Sequence, residues 1–477
     1  MKEMRQKTER INLGVLEKNE QYNDQMTDIC EFIHKFVPGH SEEENCAQEP
    51  QKVLSGGDYL TYERHKQAKN CKSNCRTPSK QLKGLVPKIE EFHNQAEFLK
   101  LIWSLLYDTS SSNSIGTLYA ARNKMNSRNV PSDPHDNFYA SSEFMDKVTT
   151  AYIIAGGLHH FKMENLHSKP KPDYAGPVGD HDAMKEYIME HAHQFVENHA
   201  VPHVQNLPDY GIQSNDIKCR YCDKEYRRPM SLRKHEARIH GHPDPQFNQQ
   251  SGISPPVKTS YKSSVYDYTK LCLTLGLLRL NHNDAIRFGD GERLLRLAKF
   301  FCLYYKGGKC PKYAFALLET TAQAQCLLSE RQAERFVWNR TVNHQGKIDT
   351  NHPNDLDLEH CNKVFKEDVH TYRGKYTEKT ILRVSRSALA TDGICKKFDN
   401  VSSVRQCSGK HKKTDMADDI QLLAEQLHSI GNVFDIDDSR VHDSFPNLKD
   451  PLASLNMEDI QTWISGSLKK FSSKHYV

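Results

Sequence analysis

Two cysteines separated by two residues, and two histidines separated by four, constrain this chain more than any other feature of it. The stretch reads Cys219-Arg-Tyr-Cys222, then twelve residues, then His235-Glu-Ala-Arg-Ile-His240. Two thiolates on a tight turn and two imidazoles about one helical turn apart can close a tetrahedral shell around Zn²⁺, which takes nitrogen and sulfur donors at fixed corners. Tyr226 and Leu232 stand where such a Cys-Cys-His-His finger needs two apolar side chains over the metal. The sequence therefore predicts a ββα zinc finger with Cys219, Cys222, His235 and His240 as metal ligands. On its helix Arg228, Ser231 and Lys234 fall at the base-facing positions. Between Lys218 and His240 eight Lys/Arg stand against three Asp/Glu.

A finger this size occupies little of the chain. At 477 residues the protein can bury two or three ordinary cores, or one large core with insertions. Its net charge of +4 is too small to argue for nucleic acid by itself. The charged start Met1-Lys-Glu-Met-Arg lacks the apolar core of a signal peptide. Apolar runs such as Ala151–Leu158 and Leu271–Leu278 fall short of the roughly 18 residues of a membrane span. Thirteen cysteines without a secretory signal fit a reducing compartment, the cytosol or the nucleus.

Residues 1–50 are polar, with one helical pattern in Met26, Ile29, Cys30, Ile33 and Phe36 that stops at Pro38-Gly39. Val53-Leu54-Ser-Gly-Gly-Asp58 then reads as a short strand ending in an acid, with a helix starting near Thr61. Leu82–Phe92 reads as a second strand, interrupted by Pro87. Amphipathic helices follow through Phe98–Leu105, Asn137–Phe161 and Ala183–Val201. The last carries His191, His193 and His199 among glutamates, which suits a solvated face better than a metal. Loose stretches after Pro202 and from Gly241 to Ser264 make the finger an island.

Beyond it, Val265–Leu280 is an apolar helix that Asn281-His-Asn is expected to break. Gly289-Asp290-Gly291-Glu292 opens another helix, with Asp290 as its cap rather than a phosphate loop. Tyr313–Leu328 and Ser329–Trp338 continue the helical series. Glu359, Asn362 and Lys363 share a helix face that a polar site could use, although an exposed ion-paired face explains it better. From Cys395 to Lys413 six basic residues oppose the single acid Asp399, a composition open to phosphate contact. A final helix over Met416–His428 precedes an acidic tail expected to add little structure. The expected fold class is mainly α with a small α/β element near residues 50–95 and the inserted finger. The expected divisions are a lead (1–50), two halves of a large helical domain (51–205 and 263–432), a finger insertion with its linkers (206–262) and the tail (433–477).

Gly57-Asp58-Tyr-Leu-Thr61, Glu91-Phe-His93, Gly289-Asp-Gly-Glu-Arg293, Trp338–Gln345, Asp357-Leu-Glu-His-Cys-Asn-Lys363 and Gly409-Lys-His411 carry a resemblance. Over residues 25–432 the chain resembles a large domain of unknown function, found in many invertebrate and fungal proteins and marked by a Gly-Asp-Gln-Leu-Thr signature. Tyr59 stands where that signature has Gln. The resemblance implies descent from a transposase with a ribonuclease H-like core, in which three carboxylates hold two divalent ions such as Mg²⁺. On that reading Asp58 and Glu359 are two of the acids. Asp58 looks like the second of the three, and only the lead Met1–Gly57 is left to hold the first, so the core is either shortened or assembled otherwise.

The leading expectation is therefore a zinc-binding, transposon-derived protein without catalysis, binding DNA or a protein partner through the finger and basic loops. The alternatives are a metal-dependent nuclease using Asp58 and Glu359, and a finger that serves only as a structural or protein-docking insertion.

Overall fold

Apolar residues at helical spacing near the N-terminus bury Met26 and Cys30 and form helix α1 (Asn23–His34), which ends ahead of Pro38-Gly39. A computed structural model describes residues 3–177, 179–200, 217–218, 222, 225–226, 264–371, 377–404, 416–429, 433–437, 439–446 and 448–471. Contacts divide the chain into two units, Met1–Pro202 with Ser263–Val477, and His203–Lys262. Among the described residues no helix is long and apolar enough to cross a membrane.

In the large unit, β1 (Val53–Gly57) leads through Asp58 into α2 (Tyr59–Lys72), and the chain returns as β2 (Leu85–Ile89) beside β1. The two strands are parallel, Val53 opposite Leu85 and Gly57 opposite Ile89. Pro87 lies within β2 without breaking it, opposite Ser55, because a two-stranded ladder leaves each strand one free edge where a missing N–H costs nothing. Every residue of β2 is buried.

Helices make up most of the rest. They are α3 (Glu91–Leu106), α4 (Leu118–Lys124), α5 (Phe138–His160) and α6 (His181–His199) before the small unit. After it come α7 (Ser264–Phe288), α8 (Gly291–Gly307), α9 (Pro311–Ala322) and α10 (Glu330–Trp338). Their starts follow local chemistry. Thr117, Asn137, Asp180 and Asp290 each accept a first-turn amide, and Ser329 with Gln332 forms a capping box. The core they enclose centres on aromatic rings: Phe98 stacks on Phe301 at 4.1 Å, with Tyr152, Tyr268, Tyr304 and Tyr305 almost fully buried around them. Each such side chain is worth roughly 1.5–3 kcal/mol of burial.

Two expectations about this unit are corrected. Asn281-His-Asn does not break the helix, and α7 runs on to Phe288. His282 bonds to Glu91, and Asn283 accepts from Gln95 at 2.7 Å, so tertiary partners outweigh the low helix propensity of these residues. Nor is the C-terminal stretch an idle tail. Val433 and Phe434 are buried, the latter against Tyr152, His442 packs on Tyr268, and a further helix at Met457–Phe471 seats Phe471 on Phe315. Aromatic side chains spaced between the acids supply the apolar area that holds it. The histidines of α6 also divide: His193 is exposed, while His191 meets His160 at 3.0 Å and His199 packs on Phe434.

In the small unit, Ile217–Lys218 (β3) pairs antiparallel with Glu225–Tyr226 (β4), with Ile217 opposite Tyr226. The six residues between them, 219–224, carry both cysteines of the sequence motif, and Cys222 is half-buried. After α10 the chain makes a second short hairpin, β5 (Thr341–Val342) with β6 (His352–Pro353). It then enters α11 (Asn354–Thr371), α12 (Glu378–Val401) and α13 (Ala417–Ser429). The helix at Met457–Phe471 is α14.

Candidate functional site

The end of β2 turns directly into α3, and three ionisable residues there, Lys88, Glu90 and Glu91, lose almost all contact with water. Isolated charges in such a place are costly, so each finds a partner. Lys88 donates to Glu90 at 2.7 Å and to the Asn339 carbonyl at 3.0 Å. Glu91 takes the Arg340 Nε at 2.6 Å on one oxygen and the His282 Nε2 at 2.9 Å on the other. The Glu90 carboxylate lies over Gly56, where a Cβ would collide with it, and a Cβ at Gly57 would meet Thr61. The Gly-Gly before Asp58 is thus required by close approach.

Asp58 follows at the carboxyl end of β1. Its Oδ1 accepts the Thr61 amide at 2.7 Å and so caps α2. Asp355, in the first turn of α11, caps α3 from 262 residues away, accepting the Phe92 and His93 amides at 3.0 Å each. It also meets His93 Nδ1 at 2.9 Å. Glu359 lies one turn further along α11 and is exposed. Burial works to lower the pKa of His93, but the bonded Asp355 and the charges of Asp58 and Glu359 outweigh it and raise the ring above its ordinary value. Burial, Glu97, Asp58 and Asp355 likewise push the nearby Tyr313 phenol well up. Asp58 and Glu359 thus both act electrostatically on His93, to which Asp355 is bonded. The fold also engages two of the three carboxylates in capping helices.

The donor atoms that converge most closely lie elsewhere. Asp357 Oδ1 receives His344 Nε2 at 2.6 Å, Arg10 Nη1 at 2.9 Å and His352 Nε2 at 3.4 Å. Burial would raise this carboxyl, but His352, His344 and Arg10 together bring it to about 2. Among the described residues, His344, His352 and Asp357 form a group of three possible metal ligands whose donor atoms all lie within 4.8 Å of one another. The sequence reading assigned no role to these residues, nor to His93 and Asp355. The available hint was the Asp355-x-Asp357 pair at a helix start, preceded by two histidines eight residues apart.

Of the finger residues, Cys222 is described; Cys219, His235, His240, Arg228, Ser231 and Lys234 lie outside the described residues. In the basic loop the same holds for residues 405–413, while Lys396 pairs with Asp392 at 2.7 Å. On α11 Lys363 lies 3.8 Å from Glu367, an ion-paired face of the kind expected there.

No similar chain is found among curated proteins or solved structures. A family model described as a family of unknown function, DUF6589, matches residues 3–411. That span reaches further toward the N-terminus than the resemblance read from the motifs, and it includes both the acid cluster around His93 and the His344-His352-Asp357 group. The chain belongs to this family.

Proposed function

We propose that this is a zinc-binding protein of transposon ancestry, without catalysis of its own, that works inside the cell, in the nucleus, by binding DNA. The finger of Cys219, Cys222, His235 and His240 is the reading element, with Arg228, Ser231 and Lys234 toward the bases. The observation that carries this is the antiparallel pairing of Ile217–Lys218 with Glu225–Tyr226, which brackets the Cys-x-x-Cys as a zinc knuckle needs. One finger reads only about 3 base pairs, so further phosphate contacts are required.

Binding of labelled duplex DNA, followed by fluorescence anisotropy at two salt concentrations, tests the proposal. Arg228→Ala with Lys234→Ala is expected to weaken binding by about 30-fold or more, at roughly 1–3 kcal/mol for each of the two base contacts, and to flatten the salt dependence. Unchanged affinity and slope would leave the finger as a structural or protein-docking insertion.

A second reading has its own support, the common electrostatic pull of Asp58 and Glu359 on His93. If these acids held Mg²⁺ for strand cleavage, the wild-type chain would cut DNA in Mg²⁺. Asp58→Ala and Glu359→Ala would then each abolish cutting while leaving the fold intact. A wild type that cuts nothing removes this reading.

A further inference from the structure

Asn343 organises the loop between β5 and β6 from within, while Asp349 and Asn351 tie it to Arg287. Asn343 is 1% exposed. Its carbonyl oxygen accepts the Gln345 and Gly346 amides and the Thr350 hydroxyl, at 3.2, 2.8 and 3.0 Å. Its amide nitrogen donates to the Lys347 carbonyl at 2.8 Å. The two histidines that flank this loop, His344 and His352, are therefore fixed in position before any ligand arrives. Both aim Nε2 at the same oxygen of Asp357, which the first turn of α11 holds in place.

From this convergence we propose that His344, His352 and Asp357 form a divalent transition-metal site in the large unit, separate from the finger, with zinc as its preferred ion. The donor set suits zinc, which binds imidazole nitrogen and carboxylate oxygen at about 2.0–2.1 Å in a tetrahedron. Such bond lengths place neighbouring donors about 3.3 Å apart. His352 Nε2 already stands 3.4 Å from Asp357 Oδ1. His344, at 2.6 Å, is hydrogen-bonded to that oxygen and needs to retreat by less than an ångström. The two rings remain about a quarter exposed, with side-chain accessibilities of 28% and 24%, so an ion can reach them. His360 follows one turn after Asp357, its ring 6.1 Å from that of His352, and can approach the fourth position; water is the other occupant. Arg10 donates to Asp357 at 2.9 Å and so competes with the metal for the carboxylate.

The test uses the full chain carrying Cys219→Ser and Cys222→Ser, so that the finger's thiolates no longer contribute. Zinc titration by calorimetry, with metal content measured after gel filtration, is expected to give about one zinc ion per chain. His344→Ala or His352→Ala in that background should lower the affinity at least tenfold, the range seen when a first ligand or its support is lost. Arg10→Ala removes the competitor and leaves every ligand in place, so it should bind zinc several-fold more tightly. With Co²⁺ in place of zinc, the visible spectrum should show d–d bands without thiolate charge transfer, unlike the finger. A chain without the finger's two thiolates that retains no zinc overturns the proposal, as does zinc that survives loss of both histidines or binding that Arg10→Ala weakens.

Discussion

If the proposed zinc holds the small unit, replacing Cys222 with serine in this chain is expected to unfold that unit and leave the large one standing. Structural zinc contributes about 10–16 kcal/mol of apparent binding free energy in finger-sized units, which have almost no apolar core to fall back on. The described part of His203–Lys262 has only the two-residue pairing of β3 with β4 as regular structure. On the proposed reading, losing one of the four ligands, or stripping the metal with a chelator, removes most of what holds that pairing. The large unit has its own aromatic core and does not depend on these cysteines. Hydrogen exchange read segment by segment checks this. Amides of residues 217–226 should lose protection in the variant, while those of α3, α5 and α7 keep theirs. Equal protection with and without the thiolate would mean the unit is not held by zinc.

The second large effect lies at the buried ion cluster. Arg340→Ala is expected to destabilise the large unit by about 3–5 kcal/mol, the usual cost of leaving a buried charge without its partner. That is a substantial share of the 5–15 kcal/mol by which a typical domain is stable. Arg340 and Glu91 are both nearly inaccessible, their side chains 4% and 5% exposed, and the bond between them is 2.6 Å. Denaturant unfolding measures the loss. Replacing both partners by apolar residues, Arg340→Met with Glu91→Leu, should recover part of it, because the penalty comes from the orphaned carboxylate.

The pH dependence gives a second readout. Burial alone would raise Glu91, but Arg340 and then His282 overturn this and hold it well below the usual carboxylate range. A depressed carboxylate adds stability above its unfolded value of about 4.3 and loses that stability as the pH falls below it. Without Arg340 burial dominates and the acid sensitivity should move to higher pH. A variant as stable as the parent, with an unchanged acid limb, would mean that water reaches Glu91.

Much of the helical frame was legible because its causes are local. Asp290 caps α8 through an amide three residues away, and the periodicity of Met26, Ile29, Cys30 and Ile33 needs only its own helix to be read. The strand, the two glycines and the acid at Asp58 were legible for the same reason, although the need for Gly56 was not. The Glu90 carboxylate that would meet a side chain there arrives from the turn between β2 and α3. Asn281-His-Asn misled because local propensity points one way and two distant partners, Glu91 and Gln95, point the other. The acid-rich C-terminal stretch misled in the same manner, since net charge hides how much area Phe434 and Phe471 bury.

The sequence by itself determined where the helices start, that a short α/β element sits near residue 55, and which residues have the spacing of a zinc finger, since each depends on contacts within a turn or two. Only the tertiary structure decided that Asp355 caps a helix 262 residues earlier, that Glu91 is shared by Arg340 and His282, and that His344, His352 and Arg10 meet on Asp357. Those partners come from separate elements, and a charge is drawn to whichever opposite charge the core excludes from water beside it. Sequence distance carries no record of that choice.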